Sequence, residues 1–478
     1  MRFADYVDAH LGHGEGKLSG YPGHEVAEMA LVRLYEVCGD QKYLNLSRYF
    51  IDERGKQPYY WDREKDDWNP NWKEQEKYEY YQAHRPTRLQ DEAVGHSVRA
   101  TYLYSGMADV ARLTEDEELK AACRKLWNSA VREKMYITGA IGGTREGEAF
   151  SFPFDLPNDL AYAETCAAIG LIFFARRMLQ MDVRAEYADV MERALYNCVL
   201  AGMDLDGKRF FYVNPLEVLP EACHKDKRKD HVLPVRPKWF GCACCPPNLA
   251  RLLGSVPSYA YTENEDTLFM HLHISGIVNK KVGEQKAQFS VSTDMPWGGK
   301  VTIDYTGEES VYTALAVRIP GWSEKFGIIG GEKFICEQKG GYYYLEGQWE
   351  KGDQITFTFE MTPYFCQADS RVREDIGKVA LMRGPLVYCA EETDNTADLH
   401  LYRLLPEEEV AADEIVIKEM TFPALTARAR KMVEDHSADT LYTRYRKPVY
   451  EDTTLHMIPY FAWANRGENE MKVWFDES

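Results

Sequence analysis

The chain has 478 residues, of which 45% are hydrophobic, 28% charged and 13% aromatic, the composition of a globular protein with a large core. Its formal net charge of -19 disfavours nucleic acid and anionic membrane surfaces as partners, because both select a basic protein face. No segment approaches about 18 consecutive apolar residues and the N-terminus lacks the basic and apolar regions of a secretory signal, so we expect a cytoplasmic protein without a membrane span.

The first half of the chain predicts one helix after another. Apolar residues recur at steps of three and four through "GHEVAEMALVRLYEVCG", and Gly39 is a typical residue at which such a helix ends. The same periodicity predicts further helices within residues 40–55, 89–114, 116–134, 160–181, 184–203 and 244–262. Residues 1–262 therefore resemble a stack of helical hairpins.

The pattern changes after about Tyr261. Short β-branched or aromatic runs such as "AQFSVST", "KVTIDYT" and "DQITFTFEMTP" alternate with turns rich in Gly, Asp and Glu, which predicts a β-sandwich over residues 263–375. A second set of such runs, among them "KVALMRGPLVYCAE", occupies residues 376–478. This second set either extends the sandwich or forms another one, and the sequence leaves both open.

Three cysteines stand within four positions in "GCACCPPNLARLLG", namely Cys242, Cys244 and Cys245. An isolated cysteine most often acts as a small buried hydrophobe. Three together do little for packing, whereas a group of thiolates is what a soft metal such as zinc selects. We therefore interpret the eleven cysteines as reduced thiols, some of which are metal ligands.

A fourth ligand could come from "YAETCAAIG", where Glu164 and Cys166 are two residues apart on a predicted helix. On an ideal helix this spacing corresponds to about 200° around the axis, so the two side chains would point to opposite sides. Both can bind one ion only if the backbone there is the irregular start of the helix. Otherwise Glu164 is a surface acid and Cys166 a thiol in the core.

Several motifs follow one another along nearly the whole chain: "GEAF" at 147–150, "YAETCA" at 162–167, "FFYVNPLE" at 210–217, "CACCPPN" at 242–248, "RGPLVYCAE" at 383–391 and "PYFAWANRG" at 459–467. In kind and in order they resemble glycoside hydrolase family 127, the β-L-arabinofuranosidases. The resemblance implies an (α/α)6-type helical barrel followed by β-sandwich domains. It also implies a retaining hydrolase whose nucleophile is a zinc-bound cysteine.

The resemblance assigns roles to individual residues. It implies that zinc is held by Glu164, Cys166, Cys244 and Cys245, and that Cys244 is the nucleophile. Zinc would keep this thiol deprotonated, although a free thiol is mostly protonated at neutral pH. Glu148 in "GEAF" would be the general acid/base, and without the resemblance it would be one more solvated glutamate of an acidic loop.

The acid step requires Glu148 to be protonated near neutral pH. We expect its pKa to be raised, because a negatively charged metal cluster and a partly dry pocket both disfavour the carboxylate. Two displacements at one carbon restore its configuration, so the sugar is expected to be released as the β anomer.

Histidines and aromatic residues suggest a substrate shell. His96 lies in "VGHSVR", which resembles a family stretch that lines the sugar pocket, and the same resemblance adds His24 and Tyr212. His96 and Arg99 are three apart, which predicts one shared helical face. We interpret His224, His231, His271 and His273 as structural or exposed, although a strand at "HLH" would direct two imidazoles to one face.

The family's barrel has six helical hairpins, whereas only about seven or eight helices are predicted here ahead of the strands. About the first third of the usual barrel is therefore expected to be missing, which puts full activity in doubt. The sequence leaves open the exact sugar, the metal ion and the oligomeric state, although a homodimer through the β domains is compatible with it.

Two other classes of function also fit parts of the sequence. One is a carbohydrate-binding protein with a structural zinc and no catalysis, in which Glu148 would have no chemical role. The other is a metal-free sugar epimerase or uronide hydrolase with the same helical barrel, which would leave the cysteine cluster without a purpose.

Overall fold

A computed structural model describes residues 1–63, 72–434 and 440–478. Within these residues the α-helices are α1 (Arg2–His10), α2 (Ala27–Cys38), α3 (Gln41–Glu53), α4 (Tyr60–Arg63), α5 (Glu74–Tyr80), α6 (Ser97–Leu113), α7 (Glu117–Glu133), α8 (Thr165–Met181), α9 (Ala185–Ala194), α10 (Pro220–Lys225), α11 (Cys245–Ser255) and α12 (Pro257–Ala260). None of the helices in these ranges combines the length and the apolar character needed to cross a lipid bilayer.

Helices α6 and α8 form the centre of the helical region. Almost every residue of both is buried, and α6 packs against α2, α3 and α7 as well as α8. The two helices approach closely because Gly170 of α8 faces Thr101 of α6, where a Cβ atom would lie 2.2 Å from the threonine Oγ1. The outer helices α3 and α7 bury one face each, as amphipathic helices do.

The predicted helices are present, but several of them begin later than their periodicity suggests. Helix α2 ends at Gly39 as predicted, since this glycine adopts a left-handed conformation with φ of 71°. Helix α6 starts only at Ser97, and α8 only at Thr165. Pro257 opens a new helix, so the segment 244–262 forms α11 and α12 rather than one helix.

The strands begin with one short strand inside the helical region. In chain order they are β1 (Glu217–Val218), β2 (Tyr261–Glu263), β3 (Thr267–Met270), β4 (Gly276–Val282), β5 (Gln285–Thr293), β6 (Lys300–Tyr305), β7 (Val311–Arg318), β8 (Phe326–Ile329), β9 (Ile335–Lys339), β10 (Tyr342–Trp349), β11 (Gln354–Phe359), β12 (Pro363–Cys366), β13 (Lys378–Arg383), β14 (Leu386–Glu391), β15 (Tyr402–Leu404), β16 (Ala411–Ile417), β17 (Met420–Met432), β18 (Tyr450–Pro459), β19 (Met471–Lys472) and β20 (Phe475–Glu477). The chain is thus helical first and β-rich afterwards, which confirms the predicted fold class.

Two five-stranded sheets form a sandwich between the helical region and the C-terminal part. Their strand orders are β2-β3-β7-β10-β9 and β4-β5-β6-β11-β8. Side chains from both sheets fill the space between them, with Phe289, Tyr305 and Trp349 in edge-to-face or tilted contact. Alternating buried and exposed residues along β5 and β6 explain why their sequences are recognisable as strands.

The later strands form a sheet of their own rather than extending this sandwich. Ten strands take part, in the order β1-β19-β14-β18-β17-β15-β20-β13-β12 with β16 beside β17. Strand β1 of the helical region pairs with β19, and β12 pairs with β13. The pairing of β1 with β19 therefore joins one edge of this sheet directly to the helical region.

Buried polar groups connect the sandwich and the C-terminal sheet to the helical region. Arg318 of β7 is fully buried and donates to Asp189 and to Glu192 of α9, the latter at 2.5 Å. Asn197 lies in a π-helical turn, Leu195–Val199, that follows α9. Its side chain donates to the Pro385 carbonyl and accepts from the Val387 amide.

Candidate active site

Two helix N-termini meet at the cysteine cluster. Glu164 is the residue immediately before α8, and Cys166 lies in its first turn. Cys244 is the residue immediately before α11, and Cys245 is its first residue. Since helix N-termini carry partial positive charge, both helices favour anionic side chains at this point.

The four side chains converge in a small volume. The Cys166 and Cys245 Sγ atoms are 3.7 Å apart, and the Cys244 and Cys245 Sγ atoms are 3.8 Å apart. The Cys244 Sγ atom lies 3.5 Å from Glu164 Oε1. Taking one ligand atom from each residue, all four atoms lie within 4.8 Å of one another, so the cluster could hold a metal ion.

Glu164 reaches the cluster because its backbone is extended rather than helical, with φ of -63° and ψ of 135°. Ala163 before it has a positive φ of 42°, and its carbonyl accepts from the backbone and the side-chain amide of Asn214. Glu164 also forms a β-bridge with Val213. The spacing problem of Glu164 and Cys166 is therefore solved by the irregular helix start that the sequence required.

Burial and mutual hydrogen bonding govern the charges in this cluster. Burial raises the pKa of the Glu164 carboxyl well above its usual range. Hydrogen bonds from the Cys166 and Cys245 thiols lower the pKa of Cys244, while the hydrogen bonds of Cys245 with Cys166 and Cys244 raise the pKa of Cys245. A divalent cation can replace the shared protons, because it allows all four ligands to carry negative charge together.

Glu148 stands beside this cluster on a short turn, Glu146–Glu148. Its backbone has a positive φ of 50°, a conformation that non-glycine residues rarely adopt and that is typical of functional sites. A carboxylate oxygen of Glu148 lies within 4.8 Å of one of Glu164. The turn is held in place by the Phe150 amide, which donates to the Gly95 carbonyl, and by Ser97, whose hydroxyl donates to the Glu148 carbonyl.

Three side chains contact the Glu148 carboxylate. The Tyr162 hydroxyl donates to Oε1 at 2.9 Å, and the Tyr212 hydroxyl donates to Oε2 at 3.3 Å. His96 Nε2 lies 3.0 Å from Oε2. Its Nδ1 accepts from the amides of Val98 and Arg99, so in the neutral ring the proton is on Nε2 and points at Glu148.

The expected rise in the pKa of Glu148 is wrong for this arrangement. Burial does raise it, but the hydrogen bonds from His96 and Tyr162 outweigh burial and lower the pKa of Glu148 below its usual value. Burial raises the pKa of Tyr162 and of Tyr212, so both remain neutral phenols and donors. The sequence showed the acidic surroundings of Glu148 but not its three donors.

A cavity of about 740 Å³ opens above the cluster. The residues predicted to bind substrate, His24, His96 and Tyr212, all line it, as do Glu148 and Cys244. Burial lowers the pKa of His24 to about 4, so its imidazole is neutral at pH 7 and can both donate to and accept from a hydroxyl. The cavity thus combines carboxylate, imidazole, phenol and thiol groups on one concave surface.

Arg99 does not share the cavity with His96, contrary to the expectation of a common helical face. His96 is the residue before α6 and has an extended backbone, whereas Arg99 lies inside the helix. The Arg99 guanidinium stacks over Tyr80 at 4.6 Å and donates to the Gly23 carbonyl. It therefore supports the cavity wall from behind.

The sequence interpretation missed several residues of the cavity wall. They come from three helices: Tyr80 from α5, Tyr102 from α6, and Asn248 and Arg251 from α11. Asn248 donates to the Tyr102 hydroxyl at 2.9 Å, and Arg251 donates to the same oxygen at 3.1 Å. Asn248 belongs to the "CACCPPN" motif, and this motif was the one signal in the sequence that could have identified it as a residue of the cavity wall. The others look like ordinary helix residues in the sequence.

The four histidines that we interpreted as structural or exposed differ in their surroundings. His271 and His273 follow β3 and are buried, and His271 Nδ1 lies 2.6 Å from the Tyr342 hydroxyl, which fits a structural role. His224 is exposed and pairs with Glu468. His231, by contrast, lies in a second cavity beside Glu148.

Family models match almost the whole chain. Residues 1–258 match the "Beta-L-arabinofuranosidase, GH127 catalytic domain", residues 267–361 the middle domain and residues 350–476 the C-terminal domain of the same family. The chain belongs to glycoside hydrolase family 127. It is therefore a member of a family of enzymes that hydrolyse O-glycosyl bonds.

Known members of family 127 resemble the chain closely in sequence and structure. A non-reducing end β-L-arabinofuranosidase of Bifidobacterium longum subsp. longum is 39% identical over 490 aligned residues, which cover 99% of this chain and 73% of the relative. The crystal structure of Ara127N-Se, a GH127 β-L-arabinofuranosidase from Geobacillus stearothermophilus T6, matches with a TM-score of 0.94 at 45% identity. The match covers 100% of this chain and 76% of that chain. The GH127 β-arabinofuranosidase BT3674 has a TM-score of 0.87 at 36% identity, with 100% of this chain and 72% of that chain covered.

Proposed function

We propose that the chain is a retaining glycosidase that removes terminal β-L-arabinofuranose, with Cys244 as the nucleophile and Glu148 as the general acid/base. The observation that carries this proposal is that the Cys244 thiol and the Glu148 carboxylate line one cavity at a cluster of four side chains that could hold a metal ion. The names of its relatives in family 127 suggest the sugar. A metal-free epimerase would leave the cluster without a purpose.

We further propose that the cluster binds zinc. A zinc ion bonded to sulfur at about 2.3 Å and to oxygen at about 2.0 Å has tetrahedral edges of about 3.8 Å between sulfurs and about 3.5 Å between sulfur and oxygen. The separations of 3.7 Å and 3.8 Å between sulfurs, and of 3.5 Å between Cys244 Sγ and Glu164 Oε1, support this choice. Three thiols are also the donor set that favours zinc over hard cations.

The bound zinc would keep the Cys244 thiol deprotonated at neutral pH. In the first step, Cys244 Sγ attacks the anomeric carbon while the bond to the leaving oxygen breaks, and Glu148 gives its proton to that oxygen. The product is a thioglycoside on Cys244. In the second step, Glu148 takes a proton from water, which attacks the same carbon and releases Cys244, so the β configuration is restored.

The first experiment measures metal content and sugar release on the same protein. We expect one zinc per chain by elemental analysis, and release of β-L-arabinofuranose from an aryl β-L-arabinofuranoside, with the anomer identified by NMR. Cys244→Ser should lower turnover by about a thousandfold or more. Cys223→Ser, which alters a half-buried thiol outside the cluster, is the matched control and should retain activity. Zinc without any turnover would instead support a carbohydrate-binding protein with a structural metal site.

Glu148→Gln tests the acid/base. Loss of general acid catalysis should lower turnover by about 10²- to 10⁴-fold on a glycoside with a poor leaving group, and less on one with an activated aryl group. Glu146→Gln changes an exposed glutamate of the same turn and should have little effect. Equal losses on both substrates would contradict the assignment of Glu148 as the acid.

A further inference from the structure

A separate cavity of about 650 Å³ lies where helix α9, the sandwich and the C-terminal sheet meet. We call it the junction cavity, and the lining residues that determine its chemistry are Asp189, Glu192, Arg193, Trp322, Glu360 and Tyr364. It shares no lining residue with the cavity above the cysteine cluster. Its volume lies within the range of about 300–1,000 Å³ that is usual for small-molecule sites, which often occur where domains meet.

Buried charges that already have partners hold one wall of the junction cavity in place. Arg318 donates to Asp189 and to Glu192. The other oxygen of Glu192 accepts from the indole N–H of Trp322 at 2.8 Å. The Trp322 ring also contacts Phe359, with 6.4 Å between ring centroids. The indole is therefore fixed before a ligand arrives, which lowers the entropy lost on binding.

Arg193 is the charged group of this wall that lacks a partner. Its guanidinium forms no hydrogen bond or ion pair with the residues that the structure describes, although Arg193 is partly buried. Burial raises the pKa of Tyr364, and the nearby charge of Arg193 opposes that rise. The guanidinium therefore lies close to the Tyr364 phenol, and its N–H donors are available to a ligand.

Hydrogen-bond acceptors line the same cavity. Asp189 accepts from the Gly321 amide at 3.1 Å through Oδ1, whereas its Oδ2 has no hydrogen-bond donor among the described residues. Glu360 is exposed, and its Oε1 accepts from the Thr362 hydroxyl at 3.2 Å. The junction cavity thus offers both donors and acceptors around a fixed indole ring.

This combination fits a neutral sugar better than an ion. The carboxylates of Asp189 and Glu360 disfavour an anion, and the guanidinium of Arg193 disfavours a cation. In the described ranges of the chain, the groups of side chains that could hold a metal ion lie at the cysteine cluster and beside it, not here. A sugar has hydroxyls that both donate and accept, and C–H faces that pack against an indole.

We propose that the junction cavity is a second carbohydrate-binding site, which binds a neutral arabinose chain outside the catalytic cavity. The choice of arabinose rests on the function proposed above. Trp322 supplies the apolar face of this site, Arg193 its donors and Asp189 an acceptor. Because the two cavities have no lining residue in common, sugar units can occupy both at the same time.

Binding of an arabinohexaose whose linkages are all α tests this site, since the proposed β-specific chemistry leaves such a probe intact. Isothermal titration calorimetry with the zinc-loaded wild type should detect binding. Arg193→Met removes the donors but keeps an apolar stem, and it should weaken binding about tenfold. Glu360→Ala alters an exposed acceptor and should weaken binding to a smaller extent.

Arg184→Met is the matched control. Arg184 precedes α9, pairs with Asp182 and Glu186 on the surface, and lines neither cavity. This variant should bind the probe as the wild type does. All three variants should cleave methyl β-L-arabinofuranoside at the wild-type rate, because none of the altered side chains lines the catalytic cavity.

The inference is overturned if the wild type does not bind the arabinohexaose. It is also overturned if Arg193→Met and Glu360→Ala both bind the probe with wild-type affinity, since the probe then binds elsewhere. A wild type that binds the probe through Arg193 but cleaves no β-L-arabinofuranoside would overturn the proposed function and leave this site in place, so the two failures are distinguishable.

Discussion

At the scale of single residues, the surroundings of Glu148 bear most directly on the proposed chemistry. Its carboxylate accepts from two tyrosines and lies beside the Nε2 of His96. These contacts stabilise the charged form, which suits the base of the second step and disfavours the acid of the first. Activity should therefore fall as the pH rises through the lowered pKa of Glu148, because the proton needed by the leaving oxygen is lost.

Tyr162→Phe should shift the alkaline limb of the pH profile, in which activity falls because Glu148 loses its proton. The variant removes the hydroxyl that donates to Glu148 Oε1 at 2.9 Å, so the carboxylate is less stabilised and its pKa rises. The alkaline limb of kcat/KM against pH, measured on methyl β-L-arabinofuranoside, should shift to higher pH.

The matched control for Tyr162→Phe is Tyr312→Phe. It removes a tyrosine-to-glutamate hydrogen bond of 3.0 Å, to Glu346, on the surface of the sandwich. This variant should keep the wild-type pH profile. If the alkaline limb of Tyr162→Phe coincides with that of the wild type, Glu148 is not the group that titrates there.

At the scale of elements, the positions of the site residues depend on where helices start and how closely they cross. Cys166 and Cys245 belong to the first turns of α8 and α11, and His96 precedes α6. The crossing of α6 and α8 requires Gly170, because a Cβ atom there would collide with Thr101. The helix that carries Cys166 is thus placed by packing that lies outside the cavity.

The same substitution at two helix glycines should have opposite effects on stability. Gly170→Ala gains helix propensity, but it forces α8 away from α6 and should destabilise the fold by about 1–3 kcal/mol. Gly254→Ala in α11 adds a Cβ atom with no other heavy atom within 4 Å among the described residues, so it should stabilise the fold by up to about 1 kcal/mol. Thermal unfolding followed by circular dichroism gives the sign of each change, and equal shifts would contradict the close crossing.

At the scale of the whole molecule, buried ion pairs and shared strands join the helical region to the β-rich part. Arg318 of the sandwich is fully buried against Asp189 and Glu192 of α9. Arg236 of the helical region donates to the Trp463 carbonyl at 2.6 Å, in the segment that follows β18. The helical region that bears the site is therefore packed directly against both β structures.

Arg318→Met should destabilise the molecule by about 3–5 kcal/mol, because it leaves two carboxylates at the interface without their cation. Lys351→Met removes an exposed pair with Glu308 and should cost about 1 kcal/mol or less. The midpoint of thermal unfolding should fall markedly more for Arg318→Met than for this control. A similar small fall in both would mean that the interface contributes little to stability.

Much of the molecule follows from local patterns in the sequence. The three-four periodicity of the helices, the cap at Gly39 and the alternation along β5 and β6 depend only on neighbours in the chain, so they identify the order of helices and strands. The cysteine and glutamate motifs also suffice to recognise family 127, because their residue types and spacing are unusual. These features required no knowledge of distant contacts.

Tertiary structure alone decided the rest. The start of α8 after Glu164 depends on pairing with Val213 and Asn214, about fifty residues further along the chain. The lowered pKa of Glu148 depends on His96 and Tyr162, which come from two separate segments, and the second cavity depends on residues between 148 and 242 that meet only after folding. Local propensity cannot encode such distances, since they arise when helices, turns and sheets pack against one another.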